Sequence, residues 1–144
     1  MPDKPLVICD YQPTWAEQFR ELGTALRAKL GDRALRIDHI GSTAVPGLAA
    51  KDLIDVQLTV RRLDDADTWP DELLNGLMRR TNATDHVPAG ASTDAKEWGK
   101  RYWSRRQRVH VHVRENGRLN QRYALLFRAT TSAPHQLRPP RTEN

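Results

Sequence analysis

Between Trp15 and Leu30 the apolar positions fall at Trp15, Phe19, Leu22, Leu26 and Leu30, intervals of three and four that place them along one stripe of a helix. The spacing predicts a helix over Thr14–Leu30. Thr14 and Glu17 stand at the spacing of a capping box, and Gly31 suits the residue that ends a helix. The pattern then changes to alternation. Ala34 to Ile40 reads as a strand with Leu35 and Ile37 on one face and Arg36 and Asp38 on the other. Leu53 to Val60 alternates more cleanly, with Ile54, Val56, Leu58 and Val60 against Asp55, Gln57 and Thr59. Between the two strands, Pro46 and Gly47 signal a turn, and Leu48 to Ala50 a short helical turn.

A second helix is expected from Asp64 towards Arg80, burying Ala66, Trp69, Leu73 and Leu77. Pro70 interrupts it. A proline inside a helix costs about 3 kcal/mol, so the helix starts near Trp69 or bends there. Thr81 to Gly99 is polar and reads as a long mobile loop of the kind that covers a site. Arg101–Ser104 and Arg108–Val113 suit two further strands, Asn116 and Gly117 a tight turn, and Leu119 the start of a last helix that packs Tyr123, Leu126 and Phe127. That helix is expected to stop after Phe127. Residues 129–144 carry three prolines and little to bury, which predicts a folded domain over 1–128 and a disordered tail over 129–144.

Composition narrows the classes. The 144 residues, 38% of them hydrophobic, suit one modest core. A single cysteine, Cys9, excludes an intramolecular disulfide and any cysteine-rich zinc site. The absence of a long apolar run, and an opening segment unlike a signal peptide, make a cytoplasmic location and no membrane partner the expectation. A net charge of +5 favours anionic partners. Lys100, Arg101, Arg105, Arg106 and Arg108 cluster around Tyr102 and Trp103, a mixture that can grip and stack on nucleic acid. The bland alternative is a solvated hairpin whose aromatic rings turn into the core.

The candidate chemistry lies between His39 and Val60. A Gly-Ser pair at the end of a strand offers backbone N–H groups to an anion, and a carboxylate downstream can hold the accompanying divalent ion. Tyr11-Gln12-Pro13-Thr14-Trp15, the run His39 to Lys51 with its Gly41-Ser42-Thr43-Ala44-Val45-Pro46-Gly47 segment, and Ile54-Asp55-Val56 resemble the GrpB family. The stretch from Lys51 to Val60, and a later one from Val111 through Asn120 and Gln121 to Phe127, resemble in particular the GrpB-like domain of actinobacterial dephospho-CoA kinases. The phosphate loop of such a kinase is missing from this chain, so kinase activity is not inherited.

The resemblance implies an α+β fold, a nucleotidyltransferase-like mixed β-sheet with helices packed on it. It also implies a nucleotide or phosphorylated small molecule as ligand, with nucleotidyl or phosphoryl transfer as the reaction class if there is one. Gly41, Ser42, Thr43 and Lys51 become the phosphate-binding candidates, and Asp55 the catalytic candidate and ligand of Mg²⁺. A two-metal site needs a second carboxylate two residues along the strand, where Gln57 offers only a neutral carbonyl. His110 and His112 share a strand face and can converge with Asp55 on one ion, His112 with the clearer family match. The same pair also reads as ordinary hydrogen-bonded surface histidines. His39 either contacts phosphate or bonds the turn, Ser42 and Thr43 either bind phosphate or cap a short helix, and Asp55 either belongs to a site or pairs with Arg36 or Lys51. Two further classes stand beside nucleotide binding: a noncatalytic accessory module that serves a protein partner, and nucleic-acid binding through residues 100–108.

Overall fold

The computed structural model describes residues 7–74, 76–80, 83–106 and 108–131. In chain order the elements are β1 (Ile8–Cys9), α1 (Thr14–Leu30), β2 (Arg36–Ile40), β3 (Ala50–Lys51), β4 (Ile54–Val60), β5 (Met78–Arg79), β6 (Ala83–Thr84), β7 (Gly99–Arg105), β8 (Val109–Glu115) and α2 (Leu119–Thr131). The main sheet runs β2-β4-β8-β7-β5, with β6 also paired to β7, while β1 and β3 form a separate ribbon. Among the described residues only the central β4–β8 pair is parallel. This is the α+β, mixed-sheet architecture implied by the family resemblance.

The alternation in β4 works because its two faces meet different partners. Ile54, Val56, Leu58 and Val60 join Val109, Val111, Val113 and Trp103 in a core covered by Trp15, Leu26 and Leu30 of α1. Each such buried aliphatic side chain contributes roughly 1.5–3 kcal/mol of transfer free energy. Trp15 is completely buried, and its indole N–H donates to Asp52 Oδ1 at 2.8 Å. Asp52→Ala strands that N–H, which is expected to cost about 1–3 kcal/mol. Urea unfolding measures it, and a change of only a few tenths would mean that water replaces the carboxylate.

Several expectations are corrected. The capping box does not form. Pro13, in helical conformation, occupies the N-cap and makes no side-chain cap bond, so Thr14 lies one position too far into the helix. The strand expected from Ala34 begins at Arg36; Leu35 is exposed, whereas Asp38 is buried beneath an ion pair with Arg36. Among the described residues no α-helix spans 64–80. Two 3₁₀ turns, Leu63–Thr68 and Asp71–Leu74, stand there instead. Trp69, forced extended before Pro70, separates them with φ −69° and ψ 136°. The stripe still packs: Ala66 and Leu74 are buried, and Trp69, Leu73 and Leu77 lie against the core.

The segment from 81 to 99, read as a mobile loop, is tied down among its described residues. β6 pairs with β7, and Asp85 enters a dense set of ion pairs. Ala50 belongs to a strand and not to a helical turn. The last helix continues past Phe127 to Thr131. The expected disordered tail falls, from residue 132 on, outside the described residues.

Candidate functional site

Strand register lines up one polar rung after another on the sheet face opposite α1. Ile40, Asp55, His110 and Ser104 share the first rung, Asp38, Gln57, His112 and Tyr102 the second, and Arg36, Thr59 and Arg114 the third. The face divides into a closed half and an open half.

The closed half lies under α2. Gln57 is completely buried; its Oε1 accepts from Arg114 at 2.8 Å, and its Nε2 donates to the Gln121 carbonyl at 3.1 Å. Gln121 in turn donates to Thr59 Oγ1 at 3.3 Å. Gln57 is therefore a structural residue with both ends committed. Arg114 grips Asp85 with two bonds of 2.9 and 3.0 Å, and Lys100 and Asn120 reach the same carboxylate at 2.9 and 3.0 Å. Burial alone would raise the Asp85 carboxyl, but the bonds and charges of Arg114 and Lys100 outweigh it and hold that group well below the usual carboxylate range.

The open half centres on Asp55. Its Oδ1 is 3.0 Å from His112 Nε2 and 3.8 Å from His110 Nδ1. Lys100 Nζ approaches His112 Nδ1 at 3.0 Å, and the Tyr102 hydroxyl lies 2.7 Å from His110 Nδ1. An ammonium can only donate, so His112 Nδ1 accepts and Nε2 carries the hydrogen bonded to Asp55. Burial, aided by the charges of Arg114 and Lys100 and only partly opposed by Asp55, lowers the His112 pKa to about 4, so the imidazole is neutral near pH 7. The Tyr102 phenol is pushed up, by burial first and by the Asp55 charge second.

The Gly41-Ser42 turn closes against this carboxylate. Gly41 adopts φ 76° and ψ −174°, and a Cβ placed there would sit 2.7 Å from Asp55 Oδ2. Only glycine allows the turn to pass so near. Ser42 is exposed at its tip, and residues Ser42–Ala44 form a 3₁₀ turn with no side-chain cap bond.

The structure thus brings Gly41, Asp55, His110 and His112 together. It turns two other candidates inward: Thr43 is buried and 3.0 Å from His39 Nε2, and the His39 ring stacks on Phe19 at 4.9 Å on the core side. His39 bonds the turn. Lys51 is exposed on the β1–β3 ribbon, and Asp55 has His112 as its partner while Arg36 pairs with Asp38. Of the basic stretch, Lys100 is held by Asp85, Arg101 by Asp67 and Asp64, and Arg108 by Asp52, while Trp103 is buried. Arg105 and Arg106 are exposed.

Asp85 was not singled out from the sequence, and Lys100 and Tyr102 were read as part of the basic, aromatic 100–108 stretch and not as neighbours of Asp55. Alternation within a strand predicted from Gly99 would have put Lys100 and Tyr102 on the His112 face, but Asp85 carries no local signal. A separate groove of about 500 Å³, lined by Gln18, Glu21, Asp52, Arg105 and Arg108 among others, opens beside α1; it includes two arginines of the basic stretch but none of the phosphate- or metal-binding candidates.

Comparison with known proteins gives a consistent answer. The family profile described as GrpB protein matches residues 5–138. A dephospho-CoA kinase of Mycobacterium tuberculosis (strain ATCC 25618 / H37Rv) is 37% identical, over 85% of this chain and 34% of its own length. The UPF0157 protein YqkA of Bacillus subtilis is 31% identical over 88% of this chain and 35% of its own length. The chain therefore spans about a third of the length of these relatives. The crystal structure of the conserved protein GrpB from Enterococcus faecalis superposes with a TM-score of 0.59 at 30% identity, covering 83% of this chain and 66% of that one. With a family match over most of its residues and a solved GrpB protein sharing its fold, this chain belongs to the GrpB family.

Proposed function

We propose that this GrpB domain binds a nucleotide or another phosphorylated small molecule on the open half of the polar sheet face. The turn at Gly41-Ser42 would receive the phosphate, and Asp55 would hold a divalent cation beside it. One observation carries the reading: the glycine turn and the ionisable cluster meet at Asp55, so an anion at the turn and a cation at the carboxylate would be neighbours. Such neighbours screen one another's charge, which is what phosphate recognition by way of a metal needs. Kinship with the nucleotidyltransferase superfamily belongs to this reading. A two-metal transfer mechanism does not, because Gln57, at the second carboxylate's place, is spent on Arg114 and Gln121.

A thermal-shift panel of nucleotides and sugar phosphates, each with Mg²⁺, Mn²⁺ or Zn²⁺, tests the proposal. A ligand at a hundredfold excess over its Kd adds about 2.7 kcal/mol, a shift of several degrees for a domain of this size. Asp55→Ala should abolish the cation-dependent part. No response to any phosphorylated compound would remove the reading. It would leave the domain as an accessory module for a protein partner, which the exposed Tyr123, Leu126 and Phe127 on α2 favour.

A further inference from the structure

Magnesium, the ion that the nucleotidyltransferase-like fold implies, is a poor match for these side chains. It takes oxygen ligands in near-octahedral order and usually one or two carboxylates. Among the described residues the Asp55 cluster contains a single carboxylate, and its other members are the two imidazoles. The other side-chain oxygens on this side of β4 are engaged, that of Gln57 by Arg114 and that of Thr59 by Gln121, while Asp52 bonds the indole of Trp15.

We infer that Asp55, His110 and His112 form a mononuclear site for a transition-metal ion of the zinc, cobalt or manganese class, with coordination positions left open towards the Gly41-Ser42 turn. This inference rests on the ligand-binding reading above and specifies its cation. Two imidazoles and a carboxylate are a set that selects such ions by ligand type. The ligand-capable atoms all lie within 4.8 Å of one another. Bonds of about 2.0–2.2 Å in a tetrahedral array separate neighbouring ligands by roughly 3.3–3.6 Å. The two separations from Asp55 Oδ1, 3.0 and 3.8 Å, bracket that figure, so small side-chain rotations suffice and no strand has to move. All three residues lie on the paired central strands β4 and β8, with Asp55 and His110 in direct register, so the backbone holds the set rigidly. His110 would ligate through Nδ1, the atom 3.8 Å from Asp55 Oδ1; its ring hydrogen then sits on Nε2, and the Tyr102 hydroxyl, 2.7 Å from Nδ1, turns away to make room.

The proton balance is explicit. In the structure described, His112 Nε2–H donates to Asp55 while Lys100 donates to Nδ1. An ion bound at Nε2 takes the place of that hydrogen: one proton shifts to Nδ1, and the Lys100 ammonium turns away onto Asp85, which it already meets at 2.9 Å. Three protein ligands then leave room for water or a phosphate oxygen.

The test uses the full chain, stripped with a chelator and free of nucleotide, titrated with Co²⁺, Zn²⁺ and Mg²⁺ by calorimetry. The Co²⁺ absorption spectrum reports coordination. The expected result is one equivalent of Co²⁺ or Zn²⁺, visible bands of a four- or five-coordinate nitrogen-containing site, and no comparable affinity for Mg²⁺. His112→Gln keeps a donor for Asp55, and His110→Gln keeps the volume. Each should weaken binding about tenfold or more while circular dichroism shows the fold intact.

Three results would overturn the inference: no saturable Co²⁺ or Zn²⁺ binding, binding undiminished in both histidine variants, or Mg²⁺ bound as tightly as Zn²⁺. Since no phosphorylated ligand is present, this outcome is separable from that of the nucleotide panel, which can fail or succeed on its own.

Discussion

Replacing Asp85 with alanine is expected to lower the unfolding free energy by about 3–5 kcal/mol, the usual cost of removing one partner from a buried ion pair. The carboxylate serves Arg114 through two bonds, Lys100 through one and the Asn120 amide through another, and Arg114 and Asp85 are both largely withdrawn from water. Without it, two cations stand side by side under α2, and Gln57 alone is left to the guanidinium. Pairing holds the folded-state carboxyl below its unfolded value of about 3.9. The stability it contributes is therefore present above that pH and is lost as the medium is acidified towards the folded value. Urea unfolding of wild type and Asp85→Ala should show a gap that is widest near neutrality and narrows below about pH 4. A gap under about 1 kcal/mol at pH 7 would mean that water substitutes for the carboxylate and that the ion-pair cluster is not what fastens the 81–99 segment to the sheet.

The second large effect is expected at Gly41. Its φ of 76° and ψ of −174° fall in a region essentially confined to glycine, so alanine there pays about 1–3 kcal/mol in backbone strain alone. The added methyl would also meet Asp55 Oδ2 at 2.7 Å and Cγ at 3.3 Å, and the carboxylate can retreat only by disturbing its bond to His112. Strain and collision can be separated by a double-mutant cycle. In the Asp55→Ala background the collision is gone, so the Gly41→Ala penalty should fall towards the strain component. An equal penalty in both backgrounds would show that the carboxylate yields freely and is not closely packed on the turn.

How much was legible beforehand depended on how local the cause was. The helix over Thr14–Leu30 and the strand expected over Leu53–Val60 are set by repeating patterns of apolar residues; the helix stands where its pattern puts it, and the strand begins one residue later, at Ile54. Pro70 was visible as a breaker, but not the outcome, two 3₁₀ turns, which follows from the residues on either side packing on the core. Gln57 and Thr59 read as an outward-facing polar pair because alternation says only that they oppose Val56 and Leu58. Their burial comes from Gln121, 62 residues beyond Thr59 and 64 beyond Gln57, and no local pattern encodes that. Asp85 was hidden for the same reason: one acidic residue in a polar loop, it acquires a role only when β8 delivers Arg114. The cluster itself was half visible, since Asp55, His110 and His112 could be placed by strand periodicity and Tyr102 lay inside the expected Arg101–Ser104 strand, whereas Lys100 depends on β7 beginning earlier than its charged sequence suggested.

The parallel pair at the heart of the sheet shapes how the chain can fold. As the polypeptide leaves the ribosome, Ile54–Val60 emerges well before Val109–Glu115, and until then β4 can be paired only by β2 along one edge. Closing the intervening loop costs entropy before the central ladder returns any of it, so productive folding is a late, concerted event, slower than in an all-helical protein of this length. A ribosome paused before Val109 would hold out a bare, valine-rich strand edge, the species that chaperones have most reason to shield.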